Sequence, residues 1–469
     1  MTTFEGLLSA IEPAGGEGRA IRNPATNGVV GRAPVHTVED LERAVAAAVT
    51  AQPQWEALGH AGRVEIMLRA ADRIDEAAEA LAQIITREQG KPLNGPGARF
   101  EAGGCAAWLR ASATTTLEPE VVVDDEQTRA ELHYRAIGVV GAIGPWNWPA
   151  LIAIWQIAPA LRMGNAVVVK PSAYTPLSVL AVVAILNQEL PEGVLTVMSG
   201  NREVVARIVE HPAIGKIMFT GSTETGKTTI KNSADNITRL TPELGGNDPG
   251  IVLPDVDPKA IAEGLFWGAF INTGQTRAAL KRLYVHEDVY EEVCQSLREY
   301  AVTVRMGDGA DESSVLGPLT NRPQWEIVDD LVEKAKASGA RVLLGGNPDR
   351  DRSGNFYPTT LVAEIDPDDP LVLEEQFGPA LPIVKYSDLE DVIRRANALE
   401  SGLGASVWSG DVERARAIAP RIKAGTVWIN SHGGVHPMIP FGGIKESGYG
   451  LEFGAEGLKG LGVPQIING

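Results

Sequence analysis

The chain has little cysteine and little positive charge, and each shortage excludes a class of protein. Cys105 and Cys294 are the only cysteines in 469 residues, too few for a disulfide framework, which favours a reducing cytoplasm as the compartment. Lysine and arginine number 42 against 60 acidic residues, a net charge of -18, so neither nucleic acid nor an anionic membrane is expected as a partner. No apolar run reaches the roughly 18 residues of a membrane-spanning helix, and the first residues do not read as a signal peptide.

Apolar residues make up 44% of the chain, and the length fits about three domains of roughly 150 residues each. Helical periodicity runs through 38–58 and 63–89, and Gly90 and Pro92 close the second helix. Short β-prone runs occur at 138–143, 166–169, 195–198, 216–219 and 250–253, and again at 282–285, 404–407 and 426–429. Helix-like segments separate them, so an α/β fold with mostly parallel sheets and helices on both faces is predicted. Residues 119–135 and 457–469 fall outside this rhythm and are β-prone.

The strand predicted at 216–219 runs into a glycine-containing turn at 220–222 and then into a helix. Glycine lets phosphates approach the backbone and a helix N-terminus favours negative charge, which together indicate a dinucleotide site. Residues 221–228 also match the P-loop pattern Gly-x₄-Gly-Lys-Thr. Against a P-loop NTPase, Glu224 would place a carboxylate in the phosphate cradle, and the candidate Walker B run 251–255 contains a proline. An ordinary strand–turn–helix with a capping serine is the third interpretation.

Three further segments carry side chains suited to carbonyl chemistry. Asn147 lies among prolines and tryptophans at 145–149, where its amide can donate to a developing oxyanion; a simple turn residue is the other interpretation. Glu243 follows the strand predicted at 237–240 and precedes Leu-Gly-Gly, a flexible setting that suits a mobile general base. Residues 272–277 read Asn-Thr-Gly-Gln-Thr-Arg.

Taken together, these segments resemble the signature motifs of the NAD(P)-dependent aldehyde dehydrogenase superfamily. The family's motifs are matched in order by the Glu-Leu-Gly-Gly at 243–246, the Gly-Gln loop at 274–277, the Glu-Glu-Gln-Phe-Gly-Pro at 374–379 and the blocks at 424–430 and 440–448. The resemblance implies a Rossmann-type cofactor domain interleaved with a second α/β catalytic domain and a small β-flap for oligomerisation. It also implies an oxidoreductase that converts an aldehyde to a carboxylic acid with NAD or NADP.

Residue roles follow from the resemblance. Asn147 would stabilise the oxyanion, Glu243 would activate the hydrolytic water, and Arg277 stands where the family carries its nucleophilic cysteine. The implied cofactor contacts are Trp146, Lys170, Ser172, Gly221, Ser222, Leu244, Glu375 and Phe377. Ala173 lacks the carboxylate with which many NAD-preferring members hold the ribose, so the choice between NAD and NADP stays open with a slight lean to NAD. No metal site is predicted.

Arginine at position 277 changes the expected activity. A guanidinium only donates hydrogen bonds and has no lone pair with which to attack a carbonyl, so this chain is predicted to be inactive or strongly impaired. We expect Arg277 to form a salt bridge with Glu243, and we expect Cys105 and Cys294 to be buried structural thiols. Three explanations stay open: a substituted copy of a working dehydrogenase, a natural pseudoenzyme that binds NAD(P) or a partner, and another activity that uses Arg277.

The resemblance also implies a domain division. Residues 1–118 and 136–246 would form the NAD(P)-binding domain, residues 247–446 the catalytic domain, and residues 119–135 and 447–469 the oligomerisation segment. A homodimer or homotetramer is therefore expected by analogy.

The expected substrate is a small, neutral, apolar or aromatic aldehyde. Four side chains map near the family's substrate channel, namely Trp148, Trp155, Phe270 and Val435. The matching positions carry no obvious cationic anchor, which is why a charged substrate is not predicted.

Overall fold

The computed structural model describes residues 1–469, apart from the side chain of Ala14, and its strands form three main sheets and two short ribbons. The strands are β1 (Arg19–Arg22), β2 (Val29–Ala33), β3 (Glu120–Asp124), β4 (Arg129–Ala136), β5 (Val139–Ile143), β6 (Ala166–Lys170), β7 (Leu195–Val197), β8 (Ile214–Thr220), β9 (Arg239–Glu243), β10 (Asp248–Val252), β11 (Leu280–His286), β12 (Arg341–Leu344), β13 (Thr360–Ala363), β14 (Ala380–Tyr386), β15 (Ser401–Gly402), β16 (Gly404–Trp408), β17 (Thr426–Ile429), β18 (Ile444–Lys445) and β19 (Gly462–Asn468).

The helices cover both faces of the two larger sheets, as the alternating pattern predicts. They are α1 (Phe4–Ile11), α2 (Val38–Ala57), α3 (Gly59–Gln89), α4 (Ala98–Thr114), α5 (Pro149–Arg162), α6 (Leu177–Leu186), α7 (Arg202–Glu210), α8 (Thr223–Asn232), α9 (Pro258–Phe270), α10 (Tyr290–Ala301), α11 (Arg322–Ala337), α12 (Pro370–Leu373), α13 (Leu389–Ala396), α14 (Val412–Ile418) and α15 (Gly454–Lys459). Within residues 1–469, none of the helices combines the length and the apolar character needed to cross a membrane.

A five-stranded parallel sheet in the order β7-β6-β5-β8-β9 forms the core of the first half. Its central strands β5 and β6 are buried along their whole length, because helices pack on both faces of a parallel sheet and leave no wet side. The strands end at one edge, which therefore collects the loops after β5, β6, β8 and β9. This edge is where a doubly wound sheet binds its ligands.

A second sheet of seven strands, in the order β12-β13-β14-β11-β10-β16-β17, forms the core of the second half. Its pairs are parallel except for the antiparallel edge pair β12–β13. The α/β fold predicted from the alternating pattern is confirmed in both halves.

A separate antiparallel sheet, β19-β4-β3, is formed by the two segments that interrupt the α/β rhythm. Strand β3 is exposed along its whole length, and so are most residues of β19. The β-structure predicted for 119–135 is confirmed. In 457–469 the strand is limited to Gly462–Asn468, because α15 includes the first three residues of this segment.

Two boundaries differ from the sequence prediction near the site. Glu243 is the last residue of β9, not a residue beyond the strand, because β9 begins at Arg239 after a left-handed turn at Ile237 (φ 53°). Strand β10 ends at Val252, so Pro254 lies outside it and interrupts no ladder bond.

Candidate active site

A tight turn after α9 presents residues 275–277 to the centre of the molecule. Asn272, Thr273 and Gly274 all take left-handed backbone angles, with φ values of 51°, 56° and 75°. The turn needs glycine at 274, since a Cβ there would lie 2.2 Å from the carbonyl oxygen of Gly378. The hydroxyl of Thr273 donates to the Gly317 carbonyl and accepts from its N–H, both at 3.1 Å. Backbone strain held in place by such contacts is typical of a functional site.

Arg277 is directed from this turn toward the end of β9. Its Nη1 lies 3.4 Å from Oε2 of Glu243 and donates to the Leu244 carbonyl oxygen at 3.3 Å. Arg277 is 7% exposed and Glu243 is fully buried. The salt bridge predicted from the sequence is thus confirmed, although its distance is long for a charge-assisted hydrogen bond.

A second buried carboxyl group, Glu452, interacts electrostatically with Arg277. Sequence analysis missed this residue. Burial raises the pKa of Glu452 to about 7, while the cations Arg277 and Lys216 oppose that rise. The pKa of Glu243 is also raised, first by burial and then by the charge of Glu452. Oε1 of Glu243 and Oε2 of Glu452 are buried without a hydrogen-bond partner among the described residues. Two buried carboxyl groups therefore lie within the electrostatic influence of Arg277, and only Glu243 contacts it.

The loop at 145–149 places Asn147 next to the arginine turn. The side-chain Nδ2 of Asn147 donates to the carbonyl oxygen of Gln275 at 2.8 Å. The main-chain carbonyl oxygen of Asn147 accepts hydrogen bonds from Asn272 Nδ2 at 2.8 Å and from Lys91 Nζ at 2.9 Å. Asn147 is 2% exposed, so its position is determined by these contacts and not by solvent.

Lys91 belongs to a second buried ion pair that sequence analysis also missed. Its Nζ lies 2.5 Å from Oε2 of Glu101 and 3.4 Å from the ring centre of Trp148. The other oxygen of Glu101 accepts the N–H groups of Ala150 and Leu151, at 3.0 and 3.2 Å, in the first turn of α5. The pair fixes both the helix start and the Asn147 loop. The motif Gly-Lys-Pro at the end of α3 is the one local signal that could have identified it.

A cavity of about 390 Å³ opens onto Asn147 and Arg277. Its aromatic lining comprises Phe100, Trp108, Trp148, Trp155, Trp267 and Phe441. Val435 also lines it, as expected from the sequence, but Phe270 does not, because it is fully buried among the side chains of α9 and the seven-stranded sheet. Arg277 is the only Asp, Glu, Lys or Arg side chain among the lining residues.

On the other side of the arginine lies a group of residues predicted to contact the cofactor. Trp146 and Phe377 meet edge to face with ring centres 5.3 Å apart. Glu375 is half-buried. Its Oε1 is buried without a partner among the described residues, and a Cβ at position 245 would lie 2.6 Å from its Oε2. Burial raises the pKa of Glu375 to about 7, against the charge of Lys281. The absence of a Cβ at Gly245 thus allows the Glu375 carboxylate to lie close to the backbone through Oε2, while Oε1 keeps no partner among the described residues.

The loops after β6 and β8 carry the remaining predicted residues. Lys170 ends β6 and is 8% exposed; burial, aided by the charge of Arg19, lowers its pKa to about 8. Ser222 caps α8 by accepting the N–H of Thr225 at 3.3 Å. Ser172 and Ala173 follow β6 in the next loop, partly exposed and exposed respectively.

The P-loop interpretation is not supported by the fold of 221–228. All of this segment from Thr223 onward lies in α8, so no extended loop is left to surround a triphosphate. Lys227 points outward and pairs with Glu446 at 2.6 Å.

Comparison with known proteins gives the family. The family model described as "Aldehyde dehydrogenase family" matches residues 11–463. The chain belongs to the aldehyde dehydrogenase family. Phenylacetaldehyde dehydrogenase of Pseudomonas fluorescens is 37% identical over 452 residues, which cover 94% of this chain and 90% of that protein.

Solved structures agree with the sequence match. PnpE from Pseudomonas sp. WBC-3, in complex with nicotinamide adenine dinucleotide, superposes with a TM-score of 0.93 at 34% identity, over 98% of this chain and 95% of the other. An NADP-dependent enzyme of E. coli superposes with the same TM-score at 32% identity, over 98% and 96%. The aldehyde dehydrogenase architecture, a Rossmann-type sheet with a second α/β sheet and a β-flap, therefore describes the whole chain.

Within this aldehyde dehydrogenase fold, the two free cysteines are not suited to act as nucleophiles. Cys105 in α4 and Cys294 in α10 are both buried. Burial raises the pKa of the Cys294 thiol to about 12 and that of the Cys105 thiol well above its usual value. Neither forms a thiolate near neutral pH, in line with the structural role predicted for both.

Proposed function

We propose that this chain carries an NAD(P)-dependent aldehyde dehydrogenase site whose nucleophile position is held by Arg277, so that the chain as it stands oxidises aldehydes weakly or not at all. The observation that carries the proposal is the buried contact of Arg277 with Glu243 at 3.4 Å, next to the amide of Asn147. A carbonyl carbon at the inner end of the cavity would meet a guanidinium, which cannot add to it.

Asn147 and Glu243 are still placed to act in aldehyde oxidation. The amide of Asn147 is held by buried contacts at the inner end of the cavity, where it can donate to a carbonyl oxygen that gains negative charge. Glu243 has a raised pKa, which suits a base that must accept a proton from water near neutral pH. With a thiolate at 277, these two groups would serve acyl formation and hydrolysis respectively.

The residues present fit a nicotinamide dinucleotide. NAD(P), when bound, supplies the hydride acceptor of the reaction. Glu375 offers its unpartnered Oε1 to a ribose hydroxyl, and Gly245 permits the close approach. The capped N-terminus of α8 at Ser222 suits the phosphates. Ala173 presents no carboxylate toward a 2′-phosphate, so NAD and NADP both remain in the proposal.

The test replaces Arg277 with cysteine. Arg277→Cys should reduce NAD or NADP in the presence of phenylacetaldehyde, whereas the unaltered chain and Arg277→Ser should not. Alkylation should abolish the new activity, because the introduced thiol is the only one outside the two buried cysteines. Turnover by the unaltered chain that survives purification from host enzymes would contradict the proposal.

A second function is supported by the same contact. Arg277 pairs with the base at 3.4 Å, which would suit a pseudoenzyme that binds NAD(P) or a partner without catalysis. Absence of turnover in Arg277→Cys, together with normal dinucleotide binding, would favour this function over the first.

Several sequence-based expectations accompany the proposal. The apolar and aromatic cavity wall supports a neutral apolar or aromatic aldehyde as the substrate. The acidic, cysteine-poor composition supports a cytoplasmic protein.

The domain division stays a prediction, with residues 1–118 and 136–246 in one domain, 247–446 in the second, and 119–135 with 447–469 in the third. The exposed strands β3 and β19 support a homodimer or homotetramer, which light scattering on the full chain would test.

A further inference from the structure

The guanidinium of Arg277 is only partly used by the protein. Both of its hydrogen bonds, to Glu243 and to the Leu244 carbonyl, come from Nη1 and are 3.4 and 3.3 Å long. Nε and Nη2 bond to none of the described residues, and neither is among the buried unpartnered atoms. Two donors of a planar fork are therefore free next to the cavity, and a carboxylate is the group that such a fork binds best.

The rest of the cavity is suited to an apolar ring. The Trp148 and Phe100 rings lie edge to face at 6.1 Å, and Trp108 and Trp155 lie 5.6 Å apart. All four line the same 390 Å³ space, which lies in the usual range of about 300–1,000 Å³ for small-molecule pockets. Aromatic walls with one cation at the inner end match a ligand with an aryl group and one negative charge.

The acidic neighbours leave the cation available. Three carboxyl groups, Glu243, Glu452 and Glu375, act electrostatically on Arg277, and burial raises the pKa of each. Only Glu243 bonds to the guanidinium, through Nη1. None of the three bonds to Nε or Nη2, so among the described residues this edge of the guanidinium stays open to a ligand. Lys216, which also acts on Glu452, donates to the hydroxyl of Thr241 at 2.7 Å and does not line the cavity.

We propose that this cavity binds an arylalkyl carboxylate, with the aryl ring between the tryptophans and the carboxylate on the free edge of Arg277. The ligand belongs to the class of acids that an aromatic aldehyde would yield, so the chain would retain such an acid without making it. The inference goes beyond the proposed function, because it concerns ligand binding by Arg277 and the cavity and requires no turnover.

The test compares three ligands on the unaltered full chain: phenylacetate, its uncharged analogue phenylacetamide, which has nearly the same shape, and acetate, which lacks the ring. Calorimetric titration with phenylacetate, phenylacetamide and acetate separates the contribution of the charge from that of the ring. Phenylacetate should bind at least about 10-fold more tightly than either of the others, since a charge-assisted fork contributes more than a neutral hydrogen bond. Equal affinity for the acid and the amide, or no saturable binding of phenylacetate, would overturn the proposal.

Two variants assign the charge preference to one residue. Arg277→Met should lose the preference for the acid over the amide, whereas Arg416→Met, an exposed arginine on α14, should keep it. A preference that survives in Arg277→Met would overturn the proposal. If Arg277→Met does not fold, the ligand comparison on the unaltered chain still decides, because it requires no substitution. Failure of Arg277→Cys to oxidise aldehydes would bear on the proposed function and leave this result unchanged.

Discussion

Two buried ion pairs lie on either side of Asn147, and they differ in how completely the protein satisfies them. In the Lys91–Glu101 pair the ions are 2.5 Å apart, and the ammonium also contacts a carbonyl oxygen and an indole ring. Both oxygens of Glu101 accept hydrogen bonds. In the Arg277–Glu243 pair the separation is 3.4 Å, and one carboxylate oxygen has no partner among the described residues.

The completeness of hydrogen bonding distinguishes a structural ion pair from one that can still bind a ligand. A buried ion pair is tolerated when its remaining donors and acceptors are also bonded, and it then fixes the surrounding backbone. Lys91 and Glu101 meet this condition and hold the start of α5. Arg277 and Glu243 do not meet this condition. One carboxylate oxygen of Glu243 and two guanidinium nitrogens of Arg277 therefore remain able to bind a ligand. The under-satisfied pair is the one at the end of the cavity.

The largest expected effect comes from removing the cation in favour of a thiol. Arg277→Cys should raise aldehyde-dependent NAD(P) reduction by on the order of 10⁴-fold or more, since loss of a nucleophile typically costs that much. Adding Glu243→Gln to Arg277→Cys should then reduce turnover by about 10²–10⁴-fold, as expected for a general base. Steady-state kinetics measures both, and an undiminished rate in the double variant would show that Glu243 is not the base.

The next largest effect is expected when the Lys91–Glu101 pair is broken. Lys91→Met should lower the free energy of unfolding by about 3–5 kcal/mol, because Glu101 would be left buried without its cation. Urea unfolding measures this change. Lys227→Met is the matched control: its pair with Glu446 is equally short, 2.6 Å, but exposed, so a change below about 1 kcal/mol is expected. Similar values for the two variants would contradict the structural role of Lys91.

The contrast also explains what the sequence could predict. Strands such as β5 and β6 and helices such as α2 and α3 follow from local periodicity and were located within a few residues. Arg277, Glu243 and Asn147 were found because each lies in a short motif. Lys91 and Glu452 were missed because their contacts are long-range: Lys91 meets the carbonyl of Asn147, 56 positions later. The Gly-Lys-Pro motif is the only local signal for Lys91, and Glu452 has none.

A smaller effect is expected when the unsatisfied pair is broken. Arg277→Met should change the free energy of unfolding by about 1 kcal/mol or less, because Glu243 can keep a proton and avoid an isolated buried charge. Its raised pKa supports this outcome. Urea unfolding near neutral pH, side by side with Lys91→Met, makes the comparison direct. A loss as large as that of Lys91→Met would mean that Glu243 is ionised and depends on the arginine.

The last effect concerns how stability changes with pH, not its value at one pH. The pKa of Glu452 is about 7 in the folded protein and 4.5 as its ordinary value. Between these values the folded state keeps a proton that the unfolded state releases, so this group's contribution is full below about pH 4.5 and is lost as the pH rises toward 7. Glu452→Gln should therefore lose less stability than the unaltered chain between about pH 5 and pH 7, as measured by urea unfolding at each pH. Identical pH profiles would mean that the charges of Arg277 and Lys216 keep Glu452 ionised in the folded protein.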